Sequence, residues 1–283
     1  MGAGNDPPRV VVDHDGLRIA ALDWGGDGPP LLLLHPNGFC AGMFEPLARR
    51  LRDTYRVVAV DLRGHGASDA PTRVEQCSYR DVARDTLAVV DALGFDDVDV
   101  VGESLGGSAA ILLDELRPGL VRRALLCEAI AFPELGPGSG NVRADGARRR
   151  RVVWPSRDAV LESYGRRPPL DAMEHAALAG YVRCGFRDRT DGHVELACPP
   201  EVEAWFFEGG PGGDGPQATF AHLRALQARA TVVRGEDTDL PRFLLEAQAE
   251  VLGTEVLVVP GGHFFLQQST DLAEELVRTH LPV

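Results

Sequence analysis

Short apolar runs alternate with amphipathic stretches through the first half of the chain. Val10–Val12, Ile19–Trp24, Leu31–His35, Arg56–Asp61, Val98–Gly102 and Ala124–Ala129 have the length and composition of strands. Between them Met43–Arg52, Tyr79–Leu93 and Ser104–Arg117 read as helices, the last stopped by Pro118-Gly119. This alternation predicts an α/β fold with a mostly parallel central sheet flanked by helices. After Pro133 the pattern changes. Leu135–Asn141 reads as a Gly- and Pro-rich linker, and Gly209–Pro216 as a mobile loop. From Arg143 to about Leu226 the chain carries helical segments with scattered aromatics and no convincing strands. The first pattern then returns: strand Ala230–Gly235, helix Leu240–Leu252, strand Glu255–Pro260 and a closing helix Thr270–His280. The expected organisation is a core in two parts, residues 1–133 and 227–283, interrupted by an inserted helical cap over 134–226.

Composition narrows this further. With 283 residues, 44% of them hydrophobic, a large core is feasible. The longest apolar runs are far too short to span a bilayer, and the first residues have neither the basic nor the apolar region of a secretory signal. Five cysteines (Cys40, Cys77, Cys127, Cys184 and Cys198), odd in number and without C-x-x-C spacing, suggest neither a zinc site nor a disulfide framework. A cytoplasmic location fits them best. The net charge of −13 argues against a nucleic-acid partner. The run Arg148–Arg151 reads as a solvated helix face.

One pentapeptide raises a chemical question. Gly102-Glu103-Ser104-Leu105-Gly106 follows a Val-rich strand and opens a helix. Glycines at both ends remove the Cβ atoms that would clash in so sharp a turn. The helix N-terminus beneath Ser104 favours developing negative charge. A serine there is either a nucleophile or an ordinary helix N-cap. Of the eight histidines only His263, in "VVPGGHFF", follows a late strand in a loop, with one helix still to come. It is the expected base. His35 and His65 read as structural, and His175, His193 and His222 lie in the insert. An oxyanion hole needs two backbone donors. The Leu105 N–H is one; the loop His35–Phe39 supplies the other. Pro36 has no N–H, so Asn37 is the first choice and Gly38 the second.

The pieces "LLLHPNGF", "YRVVAVDLRGHGASD", "VVGESLGG" and "VVPGGHFF", in this order, resemble the α/β-hydrolase superfamily. The resemblance covers roughly two-thirds of the chain. It implies an α/β-hydrolase fold and a Ser–His–acid triad beneath a helical cap, with no cofactor and no metal. Pro36 departs from the family, many members of which have Gly after the loop histidine. The family's usual spacing puts the acid on Thr238, which cannot serve; Asp237 or Asp239 could with a one-residue shift. A minority of members, including some haloalkane dehalogenases and the zearalenone-type lactonases, carry the acid one strand earlier. "ALLCEAIAFP" is similar to theirs and puts Glu128 first, with Asp239 ahead of Asp237 as alternatives. Dehalogenase and epoxide hydrolase chemistry would need a carboxylate where Ser104 stands.

The expected function is hydrolysis of an ester or lactone bond in a small-to-medium hydrophobic substrate. A carbon–carbon bond hydrolase acting on a diketone-like substrate, or a non-catalytic ligand-binding protein on the same fold, are the alternatives. Phe39, Trp154, Tyr181 and Trp205 are the expected substrate contacts, with Tyr164, Phe186, Phe206 and Phe207 as further lining candidates; Cys40, Phe264 and Phe265 are left unoriented. The expected partner is a small molecule, with no membrane or nucleic acid, and a homodimer is the assembly to look for. The acidic surface disfavours anionic substrates at long range, an effect the insert's arginines could reverse locally.

Overall fold

A computed structural model describes residues 7–133, 139–210 and 214–283. Most of the 135–141 linker and the centre of the 209–216 loop therefore lie outside the described residues, as do the first six. The central sheet has eight strands: β1 (Arg9–His14), β2 (Leu17–Gly25), β3 (Pro30–Leu34), β4 (Arg56–Val60), β5 (Val98–Glu103), β6 (Val121–Cys127), β10 (Arg229–Gly235) and β11 (Val256–Val259). Their order is β1-β2-β4-β3-β5-β6-β10-β11. β1 and β2 pair antiparallel at one edge, and every pairing from β4 to β11 is parallel.

Both faces of this sheet are covered, which is why its central strands read as unbroken apolar runs. Leu31 and Leu33 of β3 face one core with Val57, Val101, Leu125 and Val233. Leu32 and Leu34 face the other with Val58, Val100 and Leu126. Helices α1 (Glu45–Leu51), α10 (Phe265–Gln268) and α11 (Thr270–His280) pack on the first side; α2 (Tyr79–Leu93) and α3 (Leu105–Leu116) pack on the second. α9 (Arg242–Leu252) closes a smaller cluster against Val232 and Phe132. Element ends differ from expectation where the backbone is special. The first helix is preceded by a 3-10 turn, Ala41–Phe44. β6 stops at Cys127 because Glu128 takes a positive φ of 53°. α9 begins only after Pro241.

The segment expected to be purely helical is not. It carries α4 (Ser139–Arg148), α5 (Arg157–Tyr164), α6 (His175–Cys184), α7 (Pro200–Phe207) and α8 (Pro216–His222). It also forms a small antiparallel sheet of β7 (Val153–Trp154), β8 (Phe186–Asp188) and β9 (Val194–Leu196). Strands of two or three residues are too short to show alternation. The one legible signal was Asp191-Gly192 at the β8–β9 turn, where Gly192 has φ 84° and Arg189 N–H donates to the His193 carbonyl.

Candidate active site

Four loops leave the carboxyl ends of parallel strands in one sheet, the position at which open α/β sheets bind ligands. Asn37 follows β3, Ser104 follows β5, Glu128 follows β6 and His263 follows β11. Asn37, Ser104, Leu105 and His263 all line one cavity of about 720 Å3.

Ser104 has φ 55° and ψ −116°, a conformation costly for any residue with a Cβ. Its hydroxyl makes no capping bond to α3, which sets the N-cap alternative aside. Backbone bonds hold the turn instead. Ser104 N–H donates to the Cys127 carbonyl, and the Ser104 carbonyl accepts from Gly107, Ser108 and Ile130. The tightness of the turn shows at Gly106, where a Cβ would lie 2.1 Å from the Leu34 carbonyl oxygen.

Glu128 is completely buried. One oxygen, Oε1, accepts the Gly235 N–H at 2.9 Å. The other, Oε2, accepts from His263 Nδ1 at 2.7 Å and from the Thr238 hydroxyl at 2.6 Å. An ionised carboxylate can only accept, so this contact puts the imidazole proton on Nδ1 and leaves Nε2 as the free lone pair. The two alternative acids are elsewhere. Asp239 is exposed and paired with Arg143 at 2.8 Å, and Asp237 is exposed.

In the loop after β3, Pro36 has no N–H, Gly38 N–H donates to His65 Nε2 at 2.9 Å, and Phe39 N–H donates to the Pro36 carbonyl. Asn37 N–H is thus the donor left over, beside the Leu105 N–H, which has no acceptor within α3. His65 is buried and held neutral; burial pushes its pKa down to about 4. His35 is likewise lowered by burial, with Nδ1 on the Pro36 carbonyl and Nε2 accepting the Leu62 N–H. Both serve the backbone.

Arg150, Tyr181 and Glu203 grip this loop. The Gly38 carbonyl accepts from the Tyr181 hydroxyl at 3.0 Å and from Arg150 at 3.2 Å. Asn37 Nδ2 donates to the Glu203 carbonyl at 2.8 Å, and the Glu203 carboxylate pairs with Arg150 at 2.5 Å. Residues Arg148–Arg151 therefore do not form one solvated helix face. α4 ends at Arg148, and Arg149, Arg150 and Arg151 all line the cavity. Charge patterning could not reveal this, because the run straddles a helix end.

Of the expected contacts, Phe39, Trp154 and Tyr181 line the cavity, as do Tyr164, Phe206, Phe207 and Phe264. Trp205 does not. It sits on the side of α7 that packs against the α2–α3 core, while the next two residues of the helix reach the cavity. Phe186, Cys40 and Phe265 are buried outside the lining. Glu103, one residue before Ser104, is buried away from the cavity and accepts from Gln267 Nε2 at 2.9 Å; burial pushes its carboxyl up to about 8. Among the described residues no group of three or more His, Cys, Asp or Glu is placed to hold a metal ion, and no helix is long and apolar enough to cross a membrane.

A mostly parallel sheet covered on both faces, with a strained serine, a histidine and a buried acid all at the carboxyl ends of its strands, defines an α/β-hydrolase. The chain belongs to the alpha/beta hydrolase family, whose model matches residues 31–275. It is 32% identical over 254 residues to 2-(acetamidomethylene)succinate hydrolase of Mesorhizobium japonicum, covering 86% of this chain and 84% of that one. The solved structure of an E-2-(acetamidomethylene)succinate hydrolase superposes with a TM-score of 0.81 at 22% identity, over 98% of this chain and 99% of that one. Two further curated relatives match over shorter stretches. Epoxide hydrolase 4 of Mus musculus is 32% identical over 46% of this chain and 37% of its own length. 3-Oxoadipate enol-lactonase 1 of Acinetobacter baylyi is 33% identical over 37% of this chain and 38% of its own.

Proposed function

We propose that the protein is a serine hydrolase that opens an ester or lactone bond of a small-to-medium substrate with an apolar body. The observation that carries this reading is the 2.7 Å contact between His263 Nδ1 and the buried Glu128 carboxylate, beside a cavity that Ser104 and His263 both line. In this reading His263 Nε2 takes the Ser104 proton as the hydroxyl oxygen attacks the carbonyl carbon. Glu128 fixes the ring and stabilises the imidazolium. The Leu105 and Asn37 N–H groups hold the oxyanion. Collapse of the tetrahedral adduct breaks the carbon–oxygen bond, and the imidazolium protonates the leaving alkoxide. Water, deprotonated by His263, then releases the acid and regenerates Ser104. The described part of the segment over 134–226, read as a cap, roofs the cavity.

A relative named for an enol-lactone supports the lactone form of the reaction. The epoxide hydrolase relatives share less than half of the chain, and here the turn carries Ser104, with the neighbouring Glu103 engaged by Gln267 outside the cavity. The test is intact mass after incubation with a fluorophosphonate, for wild type and Ser104→Ala, alongside an ester and lactone panel. Labelling and turnover confined to wild type support the reading. An unlabelled, inactive wild type overturns it and moves the binding-protein alternative forward.

A further inference from the structure

The cavity's charge is opposite to that of the chain. The protein carries a net charge of −13, yet the cavity is lined by Arg143, Arg149, Arg150, Arg151 and Arg167, with Glu203 as the single acidic residue among the described ones. Two of these arginines are neutralised: Arg150 by Glu203, and Arg143 by Asp239. The other three have no carboxylate partner among the described residues. Arg151 is held in place without one. Its Nε donates to the Val153 carbonyl at 2.8 Å, and its guanidinium lies 4.4 Å over the Trp154 ring. Arg149 and Arg167 are exposed at the same cavity, without an ion-pair partner among the described residues. Elsewhere arginines typically meet acids, as in the Arg18–Asp69, Arg148–Glu201 and Arg278–Asp53 pairs.

Unpaired guanidiniums beside an apolar wall attract an anionic oxygen group more strongly than they would in open water. Their planar donor forks suit a carboxylate. Resting on the serine-hydrolase reading, we propose that the substrate carries a carboxylate remote from the scissile bond, and that Arg149, Arg151 and Arg167 receive it at the cavity mouth. The apolar walls take the chain between the two ends, and the acyl carbonyl lies at Ser104. The substrate class is then a half-ester or carboxylated lactone rather than a neutral ester.

The experiment compares p-nitrophenyl hydrogen adipate with its methyl ester, which has the same reacting carbonyl and lacks the charge. Wild type should favour the anionic ester in kcat/KM by roughly tenfold or more. In the Arg149→Gln/Arg167→Gln double variant that ratio should collapse toward one, and Lys at both positions should restore most of it. Arg224→Gln, on an exposed turn outside the cavity, should leave the ratio as in wild type. A wild-type ratio at or below one overturns the proposal, as does a double variant that lowers both esters equally. Preference for a phosphate-ended ester over the carboxylate also overturns it. Calorimetry on Ser104→Ala with monomethyl and dimethyl adipate separates the two readings. Arginine-dependent preference for the monomethyl ligand supports carboxylate recognition even if no ester is turned over. Ester turnover without that preference leaves the hydrolase standing and removes the carboxylate.

Discussion

The Thr238 hydroxyl donates to Glu128 Oε2 at 2.6 Å, bridging the loop after β10 to the end of β6. The same oxygen receives His263 Nδ1. Thr238 stands where the family's usual spacing puts the acid. In the proposed reading the acid stands on the neighbouring strand, with the threonine as its donor. The Gly235 N–H, also from β10, satisfies the other oxygen. Two strands together position one carboxylate.

This arrangement separates the acids. Glu128→Gln keeps the shape but loses the charge and offers His263 the wrong partner, so kcat should fall by roughly 10^4-fold. Asp239→Asn removes only an exposed pair with Arg143 and should stay within about twofold. Ester turnover of the two variants, measured side by side, checks the assignment. The reverse order of effects would transfer the acid to Asp239.

Thr238 should act through Glu128. Thr238→Val deletes a hydrogen bond to a charged group, worth about 1.5 kcal/mol, and kcat should drop about tenfold. Thr238→Ser keeps the hydroxyl and should recover most of it. Loss in Ser with activity retained in Val, at unchanged melting, would show that the methyl group rather than the donor matters.

How much of this was legible follows from range. Ser104 and His263 sit in local motifs whose strand–turn–helix and strand–loop settings can be read from neighbouring residues. The sheet was readable because both its faces are buried. The grip of Arg150, Tyr181 and Glu203 on the Asn37–Gly38 loop was not, because it joins segments more than a hundred residues apart through backbone carbonyls. Trp205 was misplaced for a related reason. Neighbouring positions on α7 face different surroundings, and an aromatic run does not say which residue turns inward. The β7–β9 sheet was too short to leave a pattern.

The grip has a measurable cost if loosened. Tyr181→Phe removes one of the two side-chain donors, Tyr181 and Arg150, to the Gly38 carbonyl. Asn37, whose N–H is the proposed oxyanion donor, is then held less firmly. The expected effect is a several-fold fall in kcat with little change in KM, because the loop's role is greatest in the transition state. A rise in KM alone would make Tyr181 a substrate contact instead.

Glu103 predicts a pH dependence of stability that is separate from catalysis. Burial raises its carboxyl from the ordinary 4.5 to about 8, and Glu103 Oε1 has no partner among the described residues. Between those two values the folded chain holds a proton that the unfolded chain gives up. Its contribution to stability is therefore fully present below pH 4.5 and is lost as pH rises through about 8. Glu103→Gln cannot ionise and keeps an oxygen to accept from Gln267. Wild type should lose melting temperature between pH 5 and 9 relative to this variant, and the two curves should converge at the acid end. Parallel curves across that range would mean that the Glu103 carboxyl ionises as readily folded as unfolded.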